Sequence, residues 1–186
     1  QRDAHTIVYL NKYFLDKGYL TVKGDKIVDY KAIAKTCDGS TYIYLNDKWA
    51  MNEPFLMELT DSLNELKNTE SLGIEEIYTS EQAAMMGADE ECFVMIEGKP
   101  GFYFLNEFEV LTEPVLETKN HKMLAIHGCL PTGEDLKTFF AATGKGIKKG
   151  VKIDSMRLWD EGPTIAKLMG GNLPKADGRV MDEILE

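Results

Sequence analysis

The chain has 186 residues, long enough to bury a sizeable core and, on length alone, to form one domain. Its 44% hydrophobic and 28% charged residues exclude an intrinsically disordered chain. A net charge of -10 excludes a sequence-independent nucleic-acid binder, and no apolar run approaches the roughly 20 residues that cross a bilayer.

Ile7, Leu10 and Phe14 recur at helical spacing; Asp3 or Thr6 can cap the start and Gly18 the end, which predicts an opening helix. Tyr19-Leu20-Thr21-Val22 and Lys26-Ile27-Val28-Asp29-Tyr30 then read as paired strands joined at Gly24-Asp25. A second strand pair flanks Asp38-Gly39-Ser40, with Tyr42-Ile43-Tyr44-Leu45 as its second arm. Asn52 can cap a helix with Pro54 in its first turn and Leu56, Leu59, Leu63 and Leu66 on one face. Ile74 to Tyr78 reads as a strand, and Ser80 opens a short helix carrying Ala83, Ala84 and Met85.

Cys92 to Ile96 and Phe102 to Leu105 read as hairpin arms around Gly98-Lys99-Pro100-Gly101. The stretch from Phe108 to Asn120 is loop-rich, and Met123 to Ile126 and Thr138 to Ala142 follow as strands, the second buried. Pro163 can open a last helix with Ile165, Leu168 and Met169 inward, stopped by Gly170-Gly171. Hairpin signals outnumber crossover units and nothing reads as a linker. The expectation is therefore one α/β domain over residues 1–186, with a mixed, partly antiparallel sheet and flanking helices.

Cys37, Cys92 and Cys129 are odd in number and have no C-x-x-C spacing, so reduced thiols and a cytoplasmic location are expected. Cys92 reads as a small buried apolar residue. His127 is the main candidate for chemistry, because a histidine leaving a strand into a Gly/Pro turn is held near a sheet edge where a metal ligand is useful. On local chemistry alone a hydrogen-bonded histidine at a strand end is the commoner outcome, since one imidazole does not make a zinc site. His5, at the start of the expected helix, has a weaker case. His121, between Asn120 and Lys122, reads as solvent-exposed. The lysines and glycines from Gly144 to Gly150 lack the spacing of a phosphate-binding loop and read as tight turns with solvated side chains. The pairs Glu75-Glu76 and Glu90-Glu91 read as solvent faces.

Several stretches together carry a resemblance: Ile126-His127-Gly128, Phe139-Phe140-Ala141-Ala142-Thr143-Gly144, Gly146-Ile147-Lys148-Lys149-Gly150-Val151, and Leu173-Pro174-Lys175-Ala176-Asp177-Gly178-Arg179. With Val94 to Phe104 they resemble the C-terminal part of the type I phosphodiesterase/nucleotide pyrophosphatase family, within the alkaline phosphatase superfamily; Asn46 to Ala88 is generic. Gln1 to Asn11 looks like the segment that follows an Asp-His-Gly metal-ligand motif in that family.

The resemblance implies the C-terminal portion of an alkaline-phosphatase-like fold and a fragment of a larger hydrolase. His127 would be one metal ligand; the Thr or Ser nucleophile and most other ligands would lie upstream. The intact enzyme would use two divalent metal ions, zinc by the family's habit, about 4 Å apart, to hydrolyse a phosphodiester or pyrophosphate bond. Its substrate would be a phosphate ester or nucleotide. The fragment alone would be inactive and hold no metal, and would self-associate through apolar surface once covered by the remainder. The missing initial Met and signal pattern fit that expectation. A phosphatase or phosphomutase of the same superfamily, or a non-catalytic interaction module, are the alternatives.

Overall fold

The opening residues settle into a strand and not the predicted helix: β1 spans Arg2–Val8, and only then does α1 run from Leu10 to Asp16. β1 pairs in parallel with β8 (Gly101–Phe104) along one edge. Along the other it pairs antiparallel with β9 (Thr112–Pro114) and β10 (Ala125–Ile126). Ile7 and Val8 are both fully buried, one on each face. Earlier in the strand Asp3 and His5 are exposed and Ala4 is buried, an alternation; the helical spacing arose because Ile7 lies near the end of β1 while Leu10 and Phe14 belong to α1.

The computed structural model describes residues 2–119, 123–131 and 136–186, in two compact units, Gln1–Lys137 and Thr138–Glu186. In the first, β2 (Leu20–Lys23) and β3 (Lys26–Tyr30) form the predicted hairpin about Gly24-Asp25. An antiparallel sheet follows, built from β4 (Ala32–Cys37), β5 (Ser40–Leu45), β6 (Ile74–Thr79) and β7 (Val94–Gly98), in spatial order β4-β5-β7-β6. β7 and β8 are consecutive but are not the predicted hairpin: β7 lies between β5 and β6, whereas β8 joins β1. The turn between them switches sheets, with Lys99 N–H bonded to the Gly73 carbonyl and Gly101 at φ 94°.

The helix α2 runs from Glu53 to Asn68, and the Asn52 side chain accepts the Phe55 N–H as a cap must. It buries Phe55, Leu59, Leu63 and Leu66 against the sheet; Leu56, expected inward, is only half-buried. α3 (Ser80–Met85) is capped by Thr79 and Gln82 in a reciprocal pair. Asn11 is buried, and its amide bridges both backbone groups of Ala34 and the Asn106 carbonyl, tying α1 to β4.

The second unit holds α4 (Glu161–Leu168) and a small core of Ile147, Met181, Ile184 and Leu185. Thr138 to Ala142 is irregular and not a buried strand: Phe139 is 91% exposed and only Phe140 joins that core. An apolar run with no partner strand cannot satisfy its backbone in the interior. α4 buries Pro163 and Thr164, while Ile165, Leu168 and Met169, expected inward, are exposed. The architecture is mixed α/β, with parallel and antiparallel pairing in one sheet. His121, like Asn120 and Lys122, lies outside the described residues. Among the described residues no helix is long and apolar enough to cross a membrane.

Candidate functional site

His127 emerges where β10 ends, just after buried Ile126. Its position is set by a two-residue hairpin turn, Asp38-Gly39, between β4 and β5. Asp38 sits at φ 53°, a left-handed conformation that Asp tolerates better than most side chains. Its carbonyl accepts the Phe104 N–H at 2.8 Å, so the turn is also fastened to β8.

From that base three contacts clamp the histidine turn. Gly39 donates its N–H to the His127 carbonyl at 3.0 Å, the Ser40 hydroxyl donates to the Gly128 carbonyl at 2.7 Å, and the buried Glu97 carboxylate accepts the Leu130 N–H at 3.0 Å. Gly128 lies at φ 69°, and a Cβ there would stand 1.8 Å from the Cys37 carbonyl oxygen. Across the same contact, a Cβ on Gly39 would stand 2.2 Å from the Cys129 sulfur. Two glycines facing each other's strands let the backbones approach, and only glycine fits behind His127.

The imidazole itself points outward: its side chain is 77% exposed, with Nε2 3.4 Å from Oδ2 of Asp38, whose side chain is 20% exposed. At that length the pair is an electrostatic contact and not a well-formed hydrogen bond. Burial pushes the Tyr103 phenol above its ordinary pKa; the Met123 N–H opposes this and the Asp38 charge adds to it.

A metal ion needs more donors than this. Among the described residues no three His, Cys, Asp or Glu side chains converge on one point. His127, with Asp38 behind it, fits one arm of a metal centre and not a whole one. His5 is not brought to it. It belongs to β1, its ring packs edge-on to Phe102 at 5.1 Å, and its Nδ1 lies 2.9 Å from Thr6 Oγ1. Ile126 pairs with Arg2, so His5 and His127 are separated along the ladder by about 13 Å.

The glycine–lysine loop is not shaped as an anion cradle. Ile147 and Lys148 donate their N–H groups to the carbonyls of Gly144 and Ile184, and the Gly146 carbonyl accepts from Glu186. Lys145, Lys148 and Lys149 are exposed, as the turn reading expects. Of the acidic pairs, Glu76 is ion-paired with Lys67, which holds its carboxyl below the usual range, while Glu75, Glu90 and Glu91 are exposed. All three cysteines are free thiols; Cys92 is buried, and burial raises its pKa.

Asp38, Ser40 and Glu97 were not singled out from the sequence as partners of His127. The Asp-Gly turn signalled a hairpin, but nothing local signalled that its tip docks on a turn some 90 positions later, as the Ser40–Gly128 bond shows across 88. Comparison with family models, curated proteins and solved structures finds no match for this chain.

Proposed function

We propose that the chain is the C-terminal part of a metal-dependent phosphodiesterase or nucleotide pyrophosphatase, and that His127 is one of its metal ligands. What carries the reading is the register of β10. Ile126 pairs antiparallel with Arg2, so the strand delivers His127 past the N-terminal end of β1. That is where the resemblance expects the upstream Asp-His-Gly ligands to sit. A ligand arm must be both fixed and accessible, and His127 is both: its backbone is clamped by Gly39 and Ser40 while its ring is exposed.

In the assembled enzyme the metal pair would supply the positive charge that a chain of net charge -10 lacks toward a phosphate ester. The residues of this chain hold position. Asp38 orients the imidazole, Gly128 allows the close approach, and Glu97 fixes the turn beyond it. Exposed Leu158, Trp159, Met169 and Leu173 support a further part of the reading, that the isolated chain self-associates through surface meant to be covered. The same residues are what a non-catalytic interaction module would present. Free thiols at all three cysteines support a cytoplasmic setting.

The test is hydrolysis of bis(p-nitrophenyl) phosphate with zinc present, by this chain and by the polypeptide of its complete reading frame. Turnover by the longer polypeptide and none by the chain is expected. No turnover by either, or an open reading frame with no metal-ligand motif ahead of Gln1, contradicts the proposal.

A further inference from the structure

In the first unit α2 stands off the ends of β6 and β7 and leaves a cleft of about 820 Å³, within the range of small-molecule sites. Thr60, Leu63, Asn64 and Lys67, spaced i, i+3, i+4 and i+7, present one helical face to it. Leu45, Ile77, Phe93 and Val94 form the apolar wall opposite. Thr60 to Lys67 belong to α2 and Ile77 and Val94 to β6 and β7, while Asp47, Ala50 and Glu91 to Phe93 come from the turns between these elements.

Its charges are unbalanced. Lys67 is the one cation among the lining residues, and its ammonium is already paired with Glu76, which also accepts the Ile77 N–H at 2.9 Å. Asp47 and Glu91 line the same space, both exposed, and neither carboxylate has an ion pair or hydrogen bond among the described residues. The Asn64 amide is similarly unengaged there. An apolar body would be held by Leu63, Ile77 and Phe93, and two uncompensated carboxylates remain for a cationic head. Anions are opposed locally and by the overall charge.

We propose that this cleft binds a small organic cation with an apolar body, an arylalkylammonium in chemical class. The inference does not depend on the role of His127. It is tested on the full chain by following backbone amide resonances while titrating three isosteric probes: phenethylammonium, 2-phenylethanol and phenylacetate. Phenethylammonium is expected to shift residues of α2 and of Glu91 to Val94 saturably, about tenfold more tightly than the alcohol, with phenylacetate weakest. The double variant Asp47→Asn/Glu91→Gln should bind the ammonium no better than the alcohol, and Thr60→Trp, at an exposed site, should block all three. Equal binding of phenylacetate, shifts located elsewhere, no saturable shifts at millimolar probe, or an unchanged preference in the double variant would overturn it.

Discussion

Replacing Gly128 by alanine isolates the contact on which the position of His127 depends. At φ 69° a residue with a Cβ is strained by about 1–2 kcal/mol. The added Cβ would also meet the Cys37 carbonyl oxygen at 1.8 Å, far inside contact distance, so the turn must retreat. Retreat loosens the Gly39–His127 and Ser40–Gly128 hydrogen bonds, about 1 kcal/mol each. The expected loss is therefore about 3–4 kcal/mol. Gly18→Ala is the control: Gly18 has a similar φ of 75° with nothing within 4 Å of its Cβ position, so only the strain of about 1–2 kcal/mol applies. Urea unfolding of both variants, followed by Trp49 emission in a Trp159→Phe background, should give clearly different midpoints with similar slopes. Equal midpoints would refute the close approach of the His127-Gly128 turn to the Cys37 carbonyl.

Asn11→Ala should lower stability by about 3 kcal/mol, because it strands the buried backbone groups of Ala34 that the amide pairs; a loss below about 1 kcal/mol in the same assay would contradict those bonds. Phe139→Asp should leave the thermal midpoint unchanged, since the ring is 91% exposed, and a substantial drop would restore the buried strand that the sequence suggested. The Glu183 carboxyl is held at about 2 by the Arg179 guanidinium. Its folded value lies below its unfolded one, so the pair's contribution is complete above the ordinary carboxylate range and is lost as pH falls toward 2. Carboxyl carbon resonances should show that low midpoint in the native chain and a rise toward the ordinary range in Arg179→Gln; an unmoved midpoint would contradict the pairing.

Local chemistry made much of this molecule legible. Asn52 with Pro54, the Gly24-Asp25 turn and the α3 start are each set by residues a few positions apart, and Asp38-Gly39 signalled its hairpin although its backbone bonds go to Phe104, His127 and Gly98. The errors fall where tertiary partners decide. Ile7 lies near the end of β1 whereas Leu10 and Phe14 belong to α1, so the helical spacing read from them straddles a strand–helix junction. The arms about Gly98 to Gly101 look like a hairpin, yet the turn carries the chain between sheets. Thr138 to Ala142 has the composition of a strand but no neighbour to pair with. At the site, the His-Gly pair was visible, whereas its support from Asp38, Ser40 and Glu97 arises from long-range docking that leaves no periodic trace. The Asp177-Gly178-Arg179 signature likewise gains a physical role only in the structure. Gly178 packs against the Trp159 carbonyl, where a Cβ would stand at 1.9 Å, and the Arg179 N–H is accepted by buried Asp160 at 2.9 Å.

The most direct measurement is metal content per chain, by mass spectrometry of the purified polypeptide from the complete reading frame, for wild type and His127→Ala. The reading of His127 as a ligand predicts that the variant loses part of its bound metal while its unfolding midpoint stays near that of wild type, because the ring is exposed and the turn is held through backbone groups. Wild-type metal content in the folded variant would contradict the assignment of His127 as a ligand.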